Sequence, residues 1–284
     1  MTTMTAETYD LRALLDGWEQ TLRAVSMLGR VVTPAQWDTA TECPGWTVGD
    51  VVRHLCWTEA FVAGRRDPDH EVDWTRFPHV EGDFSRMTET GVDVRRHLSQ
   101  VDACNELDLL IDLRLAQVMA LDDLSLESEV MGLFGSLVPL ERLLRIRIFD
   151  SWTHLQDMRR AVGHPGDLAT PGAQVSAQQM ARSTSFVLAR NLEAPAGTTF
   201  RVSVTGPIAF ERWAGIDDDL RGIDIDEVSR PETPTIALDT DWETYARLGA
   251  GRLDVTSAEV QERARVTGDP TLAAGVLEAL AITP

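Results

Sequence analysis

The sequence contains no lysine, because all 26 of its basic residues are arginine. A chain without lysine cannot form a lysine Schiff base and cannot supply the lysine of a P-loop, since both need a side-chain amine. The 26 basic residues are outnumbered by 45 acidic ones, which gives a formal net charge of −19. A surface that negative repels phosphate backbones, so we expect no binding to nucleic acid.

Cysteine and long apolar runs are also scarce. The three cysteines, Cys43, Cys56 and Cys104, show no paired spacing, so they do not indicate a disulfide framework and are typical of a reducing cytosol. No window approaches the ~18 uncharged apolar residues of a membrane span. The N-terminal residues carry early acids and lack the apolar core of a signal peptide. We therefore expect a cytoplasmic protein that does not associate with membranes.

The first half of the chain has the apolar periodicity of helices. The 284 residues, 43% of them hydrophobic, are enough for one large domain or two medium ones. Four long helices in one half of the chain favour a bundle. We predict them at residues 7–30, 47–64, 88–121 and 139–163, with loops at 33–47 and 64–86.

The composition changes after Gly163. A segment rich in proline and glycine at 164–173 indicates a linker, and alternating patterns at 198–206 and 234–240 predict strands. We therefore expect two domains, a bundle at 1–165 and an α+β domain at 166–284. Helices of the second domain are predicted at 174–192, 241–250, 257–266 and 270–280.

One constellation could hold a metal ion. Asp150 and His154 lie four residues apart, which places both side chains on one helix face, and Asp157 lies on nearly the same face. His54 on the second helix would complete a set of two imidazoles and one carboxylate, which suits Zn²⁺ and leaves a coordination position open. The spacing alone is more typical of an ion pair on a solvated helix face than of a metal site. A further interpretation takes Cys43 as a nucleophile, which would need an activating base nearby.

Two segments resemble signatures of a known family. CPGWTVGDVVRHLCWTE at 43–59 and RIFDSWTHLQDMRRAVG at 147–163 resemble the two metal-binding motifs of the mycothiol-dependent maleylpyruvate isomerase family, part of the DinB-like metalloenzyme superfamily. The segments DWETYARLGAGR and VTGDPTLAAGVLEALAIT are similar to the family's C-terminal domain. The resemblance therefore covers nearly the whole chain.

This resemblance implies a fold, a set of ligands and a cosubstrate. It implies a DinB-like four-helix bundle followed by an α+β domain similar to sterol-carrier proteins. The implied metal ligands are His54, Asp150 and His154, and Asp150 stands where the family has glutamate. The implied cosubstrate is mycothiol, the small thiol of actinobacteria, whose sulfur would occupy the open position of the metal.

The expected function is a metal-dependent transfer of mycothiol to a small electrophile. One alternative is mycothiol-dependent cis–trans isomerisation of maleylpyruvate, and another is a non-catalytic binding protein that has lost the metal. The candidate catalytic residues are Arg252 and Asp157. Arg252 and the nearby Arg247 could bind a carboxylate through bidentate hydrogen bonds, but a surface ion pair is the simpler role for both. Asp157 could accept the second N–H of a ligating imidazole, or could equally pack against Arg159 or Arg160. Substrate stacking on Trp46 or Trp152 is less favoured than core packing.

Overall fold

The structure, a computed structural model, describes residues 9–133 and 135–283. Two units are separated within it, one formed by Tyr9–Gly172 and the other by the described residues from Ala173 onward. The predicted division lay between residues 165 and 166, at the end of the fourth bundle helix. None of the helices in these described ranges has the length and apolar character that crossing a membrane requires.

Four long helices build the N-terminal unit, as the periodicity predicts. The first contacts each of the other three, and the second also packs against the third and fourth. Fully buried leucines, among them Leu14, Leu55, Leu107 and Leu140, come from all four helices and form the core between them. These helices are α1 (Leu11–Val31), α3 (Val48–Val62), α5 (Gln100–Met119) and α6 (Leu140–Ala161), and a short helix, α2 (Pro34–Trp37), follows α1.

The predicted third helix, 88–121, is wrong as a single element. A helix α4 (Gly82–Asp93) begins inside the expected loop, and a turn separates it from α5. Ser99 starts α5 afresh, because its hydroxyl accepts the backbone N–H of Asp102. The carbonyls of the turn are satisfied by Arg53 of α3, which donates to Arg95 O at 3.2 Å and to Leu98 O at 3.3 Å. Because Arg53 is more than 40 residues away from this turn, the contact produces no periodic pattern in the sequence around it.

The start and end of α6 agree with the prediction. A small hairpin of β1 (Glu129–Met131) and β2 (Leu137–Pro139) leads directly into the helix, with Pro139 at its N-cap. Gly163 ends it with a φ of 69°, a conformation that glycine adopts without a steric penalty.

The C-terminal unit carries a five-stranded sheet covered by helices, in the order β5-β4-β3-β6-β7. Strands β3 and β6 are parallel, and the other neighbours are antiparallel. Phe200, Phe210 and Trp242 are fully buried in its core. The strands are β3 (Thr199–Thr205), β4 (Phe210–Ile216), β5 (Gly222–Asp224), β6 (Ile236–Asp241) and β7 (Ala264–Gly268). The helices are α7 (Pro171–Arg182), α8 (Thr184–Phe186), α9 (Trp242–Gly249), α10 (Ala258–Arg263) and α11 (Pro270–Ala279).

Two helix predictions in this unit are partly wrong. The predicted helix 174–192 is interrupted at Ser183, whose hydroxyl donates to the carbonyl of Gln179 and competes with the regular backbone ladder. A short turn of π-helix at Val187–Asn191 follows α8. The predicted helix 257–266 stops at Arg263, because the next residues pair with β6 as strand β7. The fold class, a helical bundle followed by an α+β domain, is confirmed.

Candidate metal centre

Helix α3 positions His54 through a firm N-terminal cap. The Thr47 hydroxyl accepts the N–H of Asp50, and the Asp50 carboxylate accepts the N–H of Thr47, each at 3.2 Å. This reciprocal arrangement satisfies two backbone donors that a helix start leaves without partners. His54 lies two turns further along, and its side chain is buried against the helices that pack on α3.

Helix α6 brings a carboxylate and a second imidazole to the same place. The Nε2 atoms of His54 and His154 lie 3.4 and 3.7 Å from one oxygen, Oδ1 of Asp150. The two imidazole rings are 4.8 Å apart between centroids and lie nearly edge to face. The structure therefore brings together His54, Asp150 and His154, the three residues expected to be ligands.

The electrostatics of the three groups suit cation binding. Burial lowers the pKa of His54 to about 4, so its imidazole is neutral at physiological pH and keeps a lone pair. Burial alone would raise the pKa of the Asp150 carboxyl, but the positive charge of Arg147 and the two nearby imidazoles hold it well below its usual range. Asp150 is therefore an anion beside the neutral imidazole of His54.

The residues fit a divalent metal of borderline softness. Two imidazole nitrogens and one carboxylate oxygen are the donor types of catalytic zinc sites. Oδ1 of Asp150 faces Nε2 of both imidazoles, so the three donor atoms converge on one position that a cation would share.

Asp157 lies directly behind His154. Its side chain is fully buried, and its Oδ2 is 3.1 Å from Nδ1 of His154. Its other oxygen accepts a hydrogen bond from Arg160 at 2.9 Å, and Arg160 donates in turn to Glu42 at 2.7 Å. The expected contact between Asp157 and the second ring nitrogen is present, and the ion pair with Arg160 is present beside it.

Trp46 covers the two histidines from the CPGW turn. Its ring centroid lies 4.7 Å from that of His54 and 5.5 Å from that of His154. Its indole N–H donates to the buried carboxylate of Glu89 at 2.8 Å. Trp152, by contrast, is buried in the core and donates to the carbonyl of Asp167, as core packing predicts.

The CPGW turn also carries Cys43. This half-buried residue has its sulfur within 4.8 Å of donor atoms of His154 and Asp157, so the loop does approach the site. Cys56 and Cys104 are fully buried core residues, and none of the three cysteines, all within the described chain, forms a disulfide.

Residues 14–159 match the family model described as the mycothiol maleylpyruvate isomerase N-terminal domain. That span is about half of the chain and contains His54, Asp150 and His154. The chain belongs to this family. The resemblance found in the sequence is thereby confirmed.

Solved structures of the mycothiol maleylpyruvate isomerase family share the fold. The chain is similar to the crystal structure of the mycothiol-dependent maleylpyruvate isomerase, with 16% identity and a TM-score of 0.54. It is similar to a histidine-to-alanine mutant of that enzyme, with 15% identity and the same TM-score. Both likenesses cover 94% of this chain and 96% of the other. No curated protein matches the chain at a significant level.

Arg252 lies in the other unit and outside the family match. It follows α9, where its guanidinium donates to the carbonyl of Ala250 at 2.8 Å. The neighbouring candidate Arg247 pairs with Glu259 at 2.6 Å, which is the surface ion pair expected as its simpler role.

Three buried charged residues beside the candidate site were not predicted from the sequence. Glu59 and Arg147 form an ion pair next to Asp150, and Glu89 holds Trp46. The one available signal was the position of Arg147, three residues before Asp150 on the same helix. The partners Glu59 and Glu89 lie on other helices, so their contacts depend on packing.

Proposed function

We propose that the chain is a metal-dependent enzyme that activates mycothiol for transfer to a small electrophile. The observation that carries this proposal is the convergence of His54, Asp150 and His154 on one point inside a bundle of this family. A metal bound by these three residues would supply Lewis acidity at an open position, where a coordinated thiol would lose its proton near neutral pH.

The chain's own residues prepare that position. A divalent ion would be held by Nε2 of His54, Nε2 of His154 and Oδ1 of Asp150. The Asp157 carboxylate keeps the proton of His154 on Nδ1, so that Nε2 presents its lone pair. Trp46 covers both imidazoles and excludes water from one side of them.

Transfer and isomerisation begin with formation of the same carbon–sulfur bond. The thiolate sulfur adds to one carbon of a conjugated double bond, and the electron pair of that bond moves onto the neighbouring carbonyl. In a transferase the carbon–sulfur bond remains, the thiol's proton ends on the adjacent carbon and the thiol is consumed. In an isomerase the former double bond rotates as a single bond, the electron pair returns, the carbon–sulfur bond breaks and the thiolate is regenerated. Isomerisation is the second candidate, and the names of the two structural neighbours favour it.

Arg252 is proposed to bind a carboxylate of the substrate. Guanidinium recognises carboxylate through two parallel hydrogen bonds, which an ammonium cannot reproduce. We expect Arg252→Gln to raise KM for the electrophile while the metal content stays unchanged. A KM equal to that of the wild type would show that Arg252 does not bind the substrate.

Metal content tests the proposed site. We expect about one equivalent of a divalent ion, zinc first among them, in the untagged protein. The double variant His54→Ala/His154→Ala should lose it, whereas His97→Ala, which changes an exposed histidine of the same unit, should retain it. A wild-type protein that binds no metal even after reconstitution would contradict the proposed enzyme. The alternative of a non-catalytic binding protein would then remain.

Thiol consumption separates the two reactions. The metal-loaded protein is incubated with mycothiol and a panel of electrophiles that includes maleylpyruvate, and thiol and products are followed together. Loss of thiol in step with an adduct shows transfer, and product formation at constant thiol shows isomerisation. Turnover of no electrophile by the loaded protein would contradict both.

A further inference from the structure

One oxygen of the Asp150 carboxylate is occupied by an arginine on its own helix. Nη1 of Arg147 donates to Oδ2 of Asp150 at 2.7 Å. The other oxygen, Oδ1, faces Nε2 of His54 and Nε2 of His154. The two oxygens of one side chain are thus divided between a guanidinium and the proposed metal position.

Arg147 is itself held from the opposite direction. Its Nε donates to Oε1 of Glu59 at 2.8 Å, and both side chains are almost completely inaccessible to solvent. Trp18 reaches the same carboxylate at 3.4 Å, and Arg114 lies 3.9 Å from its second oxygen. Residues from α1, α3, α5 and α6 therefore meet at Glu59, and this meeting point sets where Arg147 lies.

Stability alone is a weak reason for burying these charges. Removing an ion pair from water costs free energy for each ion, and well-packed apolar residues are often as stable in its place. The arrangement does restrict the orientation of the Asp150 carboxylate. Without a partner the carboxylate would rotate freely, because the last torsion of an aspartate is broad and nearly two-fold. A fixed donor on Oδ2 makes the two oxygens unequal and holds the carboxylate plane.

We propose that Arg147, anchored by Glu59, is a positioning residue that reserves Oδ1 of Asp150 for the metal shared with His54 and His154. This inference rests on the proposed function. Arginine suits the task because it uses two different N–H groups, Nε toward Glu59 and Nη1 toward Asp150. Lysine keeps the charge but offers one compact ammonium, which cannot bridge both carboxylates in the same way.

The test measures zinc affinity by competition with a chromophoric chelator. Arg147→Lys preserves the charge balance around Glu59, and Arg147→Met removes the donors altogether. Loss of a group that orients a metal ligand typically lowers metal affinity about 10- to 100-fold, and we expect a decrease in this range for both variants. Thermal unfolding of the metal-free proteins checks that each variant folds. If Arg147→Met does not fold, the affinity of Arg147→Lys alone is the test.

The matched control lies on the same helix. Arg145 pairs with Glu141 one turn earlier at 2.7 Å, so Arg145→Lys changes another arginine–glutamate pair of α6. Its zinc affinity should equal that of the wild type. In an Asp150→Asn background, Arg147→Lys should have no further effect, because Arg147 acts through the carboxylate.

A spectroscopic readout distinguishes positioning from general loosening. Cobalt(II) in place of zinc reports its ligand geometry in the visible spectrum, which should change in Arg147→Lys and stay constant in Arg145→Lys. Unchanged zinc affinity in a folded Arg147 variant would overturn this inference while leaving the proposed function intact, and so would an effect that persists in the Asp150→Asn background. A wild-type protein without metal would overturn the proposed function and this inference together.

Discussion

The Nδ1 atom of His154 lies 3.1 Å from a carboxylate oxygen of Asp157, a side chain with no exposure to solvent. An ionised carboxylate only accepts hydrogen bonds, so the ring proton resides on Nδ1 and Nε2 is left with its lone pair. Nε2 is the atom that faces Asp150. A contact made one turn further along α6 therefore selects the tautomer that the proposed metal needs.

Asp157→Asn tests this selection. The amide preserves the shape but loses the charge that fixes the proton on Nδ1 of His154. We expect zinc affinity to fall about 10- to 100-fold, measured by chelator competition. Asp112→Asn, which alters an exposed partner of Arg23, is the control. Equal affinity in the two variants would show that Asp157 serves the Arg160 ion pair and not the imidazole.

Thiol labelling should distinguish Cys43 from the two buried cysteines. Burial raises the pKa of Cys56 far above its ordinary value and raises the pKa of Cys104 to about 11, so both remain protonated thiols that react slowly. Cys43 is half-buried at the surface of the bundle. We expect a thiol reagent at about pH 8 to modify one cysteine per native chain. Mass spectrometry of the labelled peptides should identify Cys43, and all three cysteines should react in denaturant. Rapid native labelling of Cys56 or Cys104 would contradict the packing around them.

The same burial predicts a loss of stability at high pH. The folded pKa of Cys104, about 11, lies above the ordinary thiol value of about 8.5. The unfolded chain therefore releases its proton first, and the stabilisation is complete below about pH 8.5 and lost as the pH rises toward 11. Urea unfolding across this window should show a decreasing free energy, and Cys104→Ala should flatten the decrease. An identical slope in the variant would contradict the burial of a neutral thiol.

Two glycines of α1 should respond oppositely to the same substitution. A Cβ at Gly17 would meet its nearest atom, Cβ of Pro171, at an ordinary 3.6 Å, so Gly17→Ala should add up to about 1 kcal/mol through helix propensity. A Cβ at Gly29 would lie 2.9 Å from Sγ of the buried Cys104 and 3.4 Å from Trp37 and Val52. Gly29→Ala should therefore lower the free energy of unfolding, by about 1–3 kcal/mol for a crowded core. Urea unfolding measures both, and a stabilising Gly29→Ala would show that these helices can separate at no cost.

Local signals predicted much of the site. The spacing of Asp150 and His154 defines a shared helix face, and Gly163 ends α6. Each depends on residues within one or two turns of each other, so the geometry follows from the helix itself. His54 is a candidate ligand from its place on the second predicted helix, and the family resemblance implies it as one, but no local rule places α3 beside α6.

Long-range contacts explain the failures. The turn between α4 and α5 exists because Arg53 satisfies its carbonyls, and strand β7 exists because β6 offers an edge. Strand β4 was missed because its burial does not alternate. The partners of the turn and of β7 lie far along the chain, and periodicity contains no information about them.

The sequence by itself determined which side chains could form a metal site, because helical spacing places a carboxylate and an imidazole on one face and the motifs name the second imidazole. Only the tertiary structure decided how that carboxylate is oriented. Arg147 and Glu59 meet where four helices pack together, and the contact that leaves Oδ1 of Asp150 facing the two histidines depends on their packing. Buried charges are held where opposite charges from other helices compensate their desolvation, and that arrangement arises only when the chain folds.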